Sequence, residues 1–180
     1  SWYDSLGFNA ANVGPAALGE LARHCSAALV TEFGDAPCFV MKDPRFSILL
    51  ELWLPTFAAM NIALAPVLAL RHPTEVTSSL RRRDGMPLDI AAPMWLHYAL
   101  EAERETRGRP RALLSYDRLL QDWRGAMARV AAETGIAWPQ PFAAAAAAVD
   151  NFLRPAMWHH HAAPTRISWG RPPHTGWIAE

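Results

Sequence analysis

Lysine is almost missing from this sequence: Lys42 stands alone against sixteen arginines. A chain that supplies positive charge nearly everywhere as a planar guanidinium either keeps its one lysine by chance or needs a compact ammonium there. Cysteine is also scarce. Cys25 and Cys38 are too few for a disulfide framework, and Cys38 lies in an apolar run, so reduced thiols in a cytoplasmic setting are expected. Charge of either sign is not in excess. With a formal net charge of zero, the usual electrostatic case for a nucleic-acid partner or an anionic membrane surface is gone, and any anion must be bound by local groups.

An unbroken apolar span is lacking too. Ile48 to Leu70 carries one charge, Glu51, but Pro55, Asn61 and Pro66 interrupt it, so it reads as a buried helix followed by a short strand and not as a membrane span. The opening Ser1-Trp2-Tyr3-Asp4 has no basic segment leading into an apolar core, so no secretory leader is expected there. Apolar mass itself is ample. With 51% hydrophobic residues in 180, the chain can bury one core and is too short to favour two ordinary domains. A single domain over residues 1–180 is therefore expected, with residues 155–180, dense in Pro, Trp, His and Gly, as an irregular tail.

Three short apolar runs have the character of buried parallel strands: Cys38 to Met41, Pro66 to Leu70, and Arg111 to Ser115. Helical periodicity surrounds them. Gly14 to Thr31 places Leu18, Leu21, Ala22, Cys25 and Leu29 on one side, and Pro73 suits the first turn of a helix after the second run. Asp89 can cap a helix through Ile90, Met94, Trp95, Tyr98 and Ala102 to Gly108. After the third run, Asp117 is a candidate N-cap for a helix through Leu119, Leu120, Trp123, Met127, Val130, Ala131 and Thr134, stopped by Gly135. The alanines Ala143 to Ala148 read as plain helix. Helices alternating with fully apolar short strands indicate an α/β fold with a parallel sheet between helical layers. Three strands make that sheet thin, so it is expected to be incomplete at its N-terminal side.

In open α/β sheets ligands gather beyond the carboxyl ends of the strands, where Lys42, Arg71 and Tyr116 all stand. Ser79 follows Pro73 by six residues, roughly 9 Å along a helix at 1.5 Å per residue. An arginine at a strand end and a hydroxyl on the next helix can reach one phosphate, the first by a charge-assisted contact and the second by a neutral hydrogen bond.

Three segments, in order and spacing, resemble the sulfotransferase family, whose donor is 3′-phosphoadenosine 5′-phosphosulfate. An apolar strand ends in Arg71 and a serine, Ser79, follows eight residues later. Lys42-Asp43-Pro44 is similar to a segment of the bacterial and Golgi-type carbohydrate or tyrosylprotein sulfotransferases. Ser115-Tyr116-Asp117-Arg118-Leu119-Leu120 resembles the later strand-to-helix segment near the adenine. The resemblance covers residues 36–135 and implies a P-loop-like sulfotransferase fold. It further implies a 3′-phosphate clamp of Arg71 and Ser79, a lesser nucleotide contact at Tyr116, and Lys42 as the catalytic group facing the transferring sulfuryl. Sulfuryl transfer, like phosphoryl transfer, is a loose in-line displacement, and a mobile ammonium can follow the charge on its oxygens.

Two features depart from the family. The Gly/Ser/Thr-rich basic loop that cradles the 5′-phosphosulfate is absent from these residues, as is a G-x-x-x-x-G-K-[ST] loop, and the expectation is that it lies upstream. The base is also unassigned, because the cytosolic branch carries a histidine two residues after the lysine, where this chain has Pro44. The resemblance therefore implies a sulfotransferase acting on a hydroxyl or amine of a carbohydrate or small-molecule acceptor. A non-catalytic nucleotide-binding or scaffold domain of the same fold is the alternative.

Other groups have two readings each. Asp43 orients Lys42 or forms a turn before Pro44, and Arg45 binds substrate or solvates a helix start. Arg81-Arg82-Arg83 complements a helix end or grips an anionic acceptor. His159-His160-His161 with His174 lack an acidic or cysteine partner at ligand spacing, so no metal is expected. Of the eight tryptophans, most read as core or tail anchors, with Trp158 and Trp169 as alternative walls of a sugar cleft.

Overall fold

Proline sets where the first helix starts. Pro15 lies in the opening turn, where its missing N–H costs no hydrogen bond, and α1 runs Pro15–Phe33 until Gly34 at φ 53° turns the chain. The computed structural model describes residues 12–153. Within them follow α2 (Phe46–Ala59), β1 (Val67–Leu70), α3 (Pro73–Asp84), α4 (Leu88–Thr106), β2 (Ala112–Ser115), α5 (Tyr116–Gln121), α6 (Trp123–Thr134) and α7 (Phe142–Phe152). The proposed tail, Trp2, Trp158, Trp169, Trp177 and the histidines from His159 onward lie outside the described residues.

β1 and β2 pair in parallel, Val67 beside Ala112 through Leu70 beside Ser115. The fold is thus mixed helix and strand around a parallel sheet, and that sheet has two strands among the described residues, not the three expected. Cys38 to Met41 is irregular and joins no strand among the described residues. Its side chains divide the work: Phe39 and Met41 pack on the Leu29, Leu50 and Phe57 core, whereas Val40 is 76% exposed. An apolar run can be anchored by alternate residues without a ladder, which composition alone does not distinguish from a strand.

α1 and α2 enclose that core, with Phe33 stacked on Phe39 at 4.2 Å and Trp53 stacked on Phe57 at 5.7 Å. Pro55 sits inside α2 without ending it; the helix stops where Asn61 takes φ 54°, a left-handed conformation that asparagine tolerates. A second cluster, Leu80, Met86, Ala91 and Met94, joins α3 to α4. Each such fully buried Leu, Met or Phe contributes about 1.5–3 kcal/mol of transfer free energy.

Capping differs from expectation in two places. Pro87, not Asp89, precedes α4, and Asp89 falls within its first turn. The helix foreseen after the third run is broken in two. Ser115 precedes α5, leaving Asp117 inside the first turn, and Asp122 at φ −149° interrupts the helix and starts α6 by accepting the Gly125 N–H at 2.9 Å. Gly135, in the left-handed region at φ 76°, ends α6 as anticipated. No helix of the described residues is long and apolar enough to cross a membrane.

Candidate functional site

Parallel pairing in register puts two loops side by side. Since Leu70 pairs with Ser115, the next residues along each strand, Arg71 and Tyr116, leave the same edge of the sheet. Arg71 Cζ lies 4.7 Å from the centre of the Tyr116 ring. Such a cation over an aromatic face contributes about 0.5–2 kcal/mol. Tyr116, read from the sequence as a nucleotide contact, is thus a partner of Arg71 itself.

A second partner was not singled out in the sequence. Glu75, in the first turn of α3, accepts from Arg71 Nε at 2.7 Å, and its side chain is 6% exposed against 28% for Arg71. A carboxylate that deep is tolerated only when paired and hydrogen-bonded. Arg71 Nη1 and Nη2 hydrogen-bond to no described residue. The signal for Glu75 was its spacing of four from Arg71, but a carboxylate in a first helical turn also reads as a complement to the helix dipole, and burial is not visible in sequence.

Ser79 lies one turn beyond Glu75 on α3 and is half-buried, with its hydroxyl unbonded to any described residue. Val76 and Leu80 face α4, so the Glu75 and Ser79 stripe is rotated from that packed face by about 100°. Arg71, Glu75 and Ser79 are therefore successive along one side of the strand-to-helix turn. The helix start offers little by way of free amides, since Pro73 has no N–H and the amides of Glu75 and Val76 both donate to the His72 carbonyl.

Lys42 is exposed on the irregular segment leading to α2, and no hydrogen bond or ion pair joins it to Arg71, Ser79 or Tyr116. Its neighbours resolve one of the two-way readings. Asp43 accepts from the Arg45 backbone N–H at 2.8 Å, from Nε at 2.9 Å and from Nη2 at 2.7 Å, and Phe46 N–H donates to the Asp43 carbonyl. Asp43 thus builds the turn that opens α2 and holds Arg45, not Lys42. Those bonds from Arg45 keep the Asp43 carboxyl below the usual carboxylate range.

The remaining candidates behave as surface or core. Arg83 pairs with Asp84 at 2.8 Å, while Arg81 and Arg82 are exposed at the end of α3. Cys25 and Cys38 are free thiols, and burial pushes the Cys25 thiol up from its ordinary pKa. Trp123 is buried and donates Nε1–H to Asp150 Oδ1 at 2.6 Å, and Trp138 donates to the Met127 carbonyl at 3.1 Å. Among the described residues no group of three His, Cys, Asp or Glu could hold a metal ion. Comparison with protein-family models, with curated proteins and with solved structures yields no match.

Proposed function

We propose that this chain is the 3′-phosphate-binding part of a P-loop-like sulfotransferase, carrying a sulfuryl group from 3′-phosphoadenosine 5′-phosphosulfate to a carbohydrate or small-molecule hydroxyl or amine. The reading is carried by one observation: at the shared edge of two parallel strands, a half-buried arginine has both Nη groups without a hydrogen-bond partner among the described residues, as has the Ser79 hydroxyl further along the same helix stripe. Two uncommitted parallel donors on one guanidinium fit the oxygens of a phosphate monoester. Ser79 supplies a weaker neutral donor. Lys42, exposed and in no hydrogen bond or ion pair with a described residue, keeps the mobility that stabilising charge on a transferring group requires. The acceptor base has no assignment.

Calorimetric titration with adenosine 3′,5′-bisphosphate tests the reading. Arg71→Ala should weaken binding by about 1.5–3 kcal/mol, the scale of a charge-assisted contact, and Ser79→Ala by about 1 kcal/mol. Unchanged affinity in Arg71→Ala would remove the central assignment. Binding that depends on Arg71, with no sulfuryl transfer to any acceptor even when the 5′-phosphosulfate loop is supplied, would leave the scaffold alternative.

A further inference from the structure

We propose that Glu75 and Tyr116 are positioning residues that fix Arg71 as a preset fork for the 3′-phosphate. The inference rests on the reading of Arg71 as the phosphate contact. An arginine side chain turns about several bonds, and a guanidinium free to rotate must be ordered before two of its N–H groups can meet two oxygens of one ligand. Two different constraints act here. Glu75 Oε2 takes the Nε–H edge at 2.7 Å, and the Tyr116 ring lies against the guanidinium at 4.7 Å. A bond at one edge and an aromatic face against the central carbon together limit how the flat group can turn. The opposite edge, Nη1 and Nη2, stays uncommitted among the described residues.

Each constraint is itself anchored. Glu75 is 5% exposed and sits in the first turn of α3, and Tyr116 begins α5 directly after the strand that pairs with β1. Arg71 is thus braced from the helix that follows it and from the end of the neighbouring strand. The brace has an electrostatic consequence. Glu75 cancels the formal charge of Arg71, so this pair attracts anions at a distance less than a lone arginine would, and recognition depends on the geometry of the two Nη donors. A phosphate monoester, with several terminal oxygens to meet that fork, is favoured over a diffuse anionic surface.

The test compares affinities of the 180-residue chain for adenosine 3′,5′-bisphosphate and adenosine 5′-monophosphate, measured by calorimetry. Their ratio isolates the 3′-phosphate, and a purely structural role for Glu75 or Tyr116 would leave it unmoved. The wild-type chain should prefer the bisphosphate, and Arg71→Ala should abolish the preference. Glu75→Ala and Tyr116→Leu should each cut the ratio about tenfold, the scale of one lost charge-assisted contact. Glu75→Gln, which keeps an acceptor for Nε–H, and Tyr116→Phe, which keeps the ring, should stay within about twofold of wild type on the same scale. In an Arg71→Ala background, Glu75→Ala and Tyr116→Leu should have no further effect. A ratio lost in Arg71→Ala but intact in both Glu75→Ala and Tyr116→Leu overturns the positioning role alone. A wild-type chain without preference, or one unaffected by Arg71→Ala, overturns the phosphate reading and this inference with it. Thermal melts by circular dichroism establish which variants fold; should Glu75→Ala fail, the half-buried Tyr116 position decides by itself.

Discussion

The guanidinium of Arg71 lies 4.7 Å from the centre of the Tyr116 ring, and the register of two short strands puts it there. Leu70 pairs with Ser115, so a shift of either strand by one residue would carry Tyr116 to the other side of the sheet and leave Arg71 with Glu75 alone. The contact ties a local feature, an arginine one step past a strand, to the global one of parallel pairing. It also gives Tyr116 a partner within the chain: one face of its ring meets the Arg71 guanidinium.

Acid should loosen the end of α4. Arg107 and Arg111 both bond to Glu103 and hold its carboxyl down from 4.5 to about 2, while Arg111 also bonds the Glu103 carbonyl at 2.6 Å and the Thr106 hydroxyl at 2.9 Å. The folded-state value lies below the unfolded one, so the carboxylate's contribution is fully present above about pH 4.5 and is lost as pH falls through about 2. Urea melts of wild type and Glu103→Gln should differ at neutral pH and converge toward pH 2, the folded-state value. Parallel curves across that window would show that the arginines do not select the ionised form.

A side chain at Gly125 is predicted to dislodge the Asp122 cap. A Cβ there would meet Asp122 Oδ2 at 2.1 Å, in the cap whose Oδ1 accepts the Gly125 N–H. Gly125→Ala therefore has to displace the cap, offsetting the gain in helix propensity, and Asp122→Ala should cost about 0.5–2 kcal/mol. In the Asp122→Ala background the same Gly125→Ala change should become neutral or stabilising. Additive effects in a thermal double-mutant cycle would place the strain elsewhere.

What the sequence made legible follows the range of the forces involved. The helices around Leu29, Leu80 and Val130 were readable because their apolar spacing and the Pro73 and Gly135 boundaries are local. The break at Asp122 was not, because the apolar periodicity runs through it and only the side-chain bond to Gly125 shows that the chain restarts. Cys38 to Met41 was misread as a strand since a strand is defined by a partner, and partners are not encoded in a run of apolar residues. At the candidate site, Arg71, Ser79 and Tyr116 were visible by type and spacing, whereas Glu75 drew no notice: its weight comes from being 5% exposed, a tertiary quantity. Asp43 was legible as a turn former, and its bonds to Arg45 bear out that local reading, with Lys42 adding only the smallest of the charge interactions on the carboxyl.

Lys42 yields the sharpest separation of binding from chemistry. Its ammonium is exposed and forms no ion pair with a described residue, so removing it leaves no buried charge behind and should not disturb folding. If it acts on charge that develops during sulfuryl transfer, Lys42→Ala should lower kcat on the order of 100-fold while the affinity for adenosine 3′,5′-bisphosphate changes little. Lys42→Arg should not restore the rate, because a planar fork on a longer stem cannot follow the moving charge as a compact ammonium does. Transfer by this chain alone is expected to be slow, since its sequence carries no Gly/Ser/Thr-rich basic loop to cradle the 5′-phosphosulfate and keep the sulfur in line with an acceptor. Radiolabelled donor with sugar, phenol and amine acceptors reads both points, the second by comparing the chain with a version to which a Gly/Ser/Thr-rich phosphate-binding loop has been joined. Equal losses of turnover and donor affinity in Lys42→Ala would reduce Lys42 to a binding group. Robust transfer by the unextended chain would show that the reaction does not need the cradle.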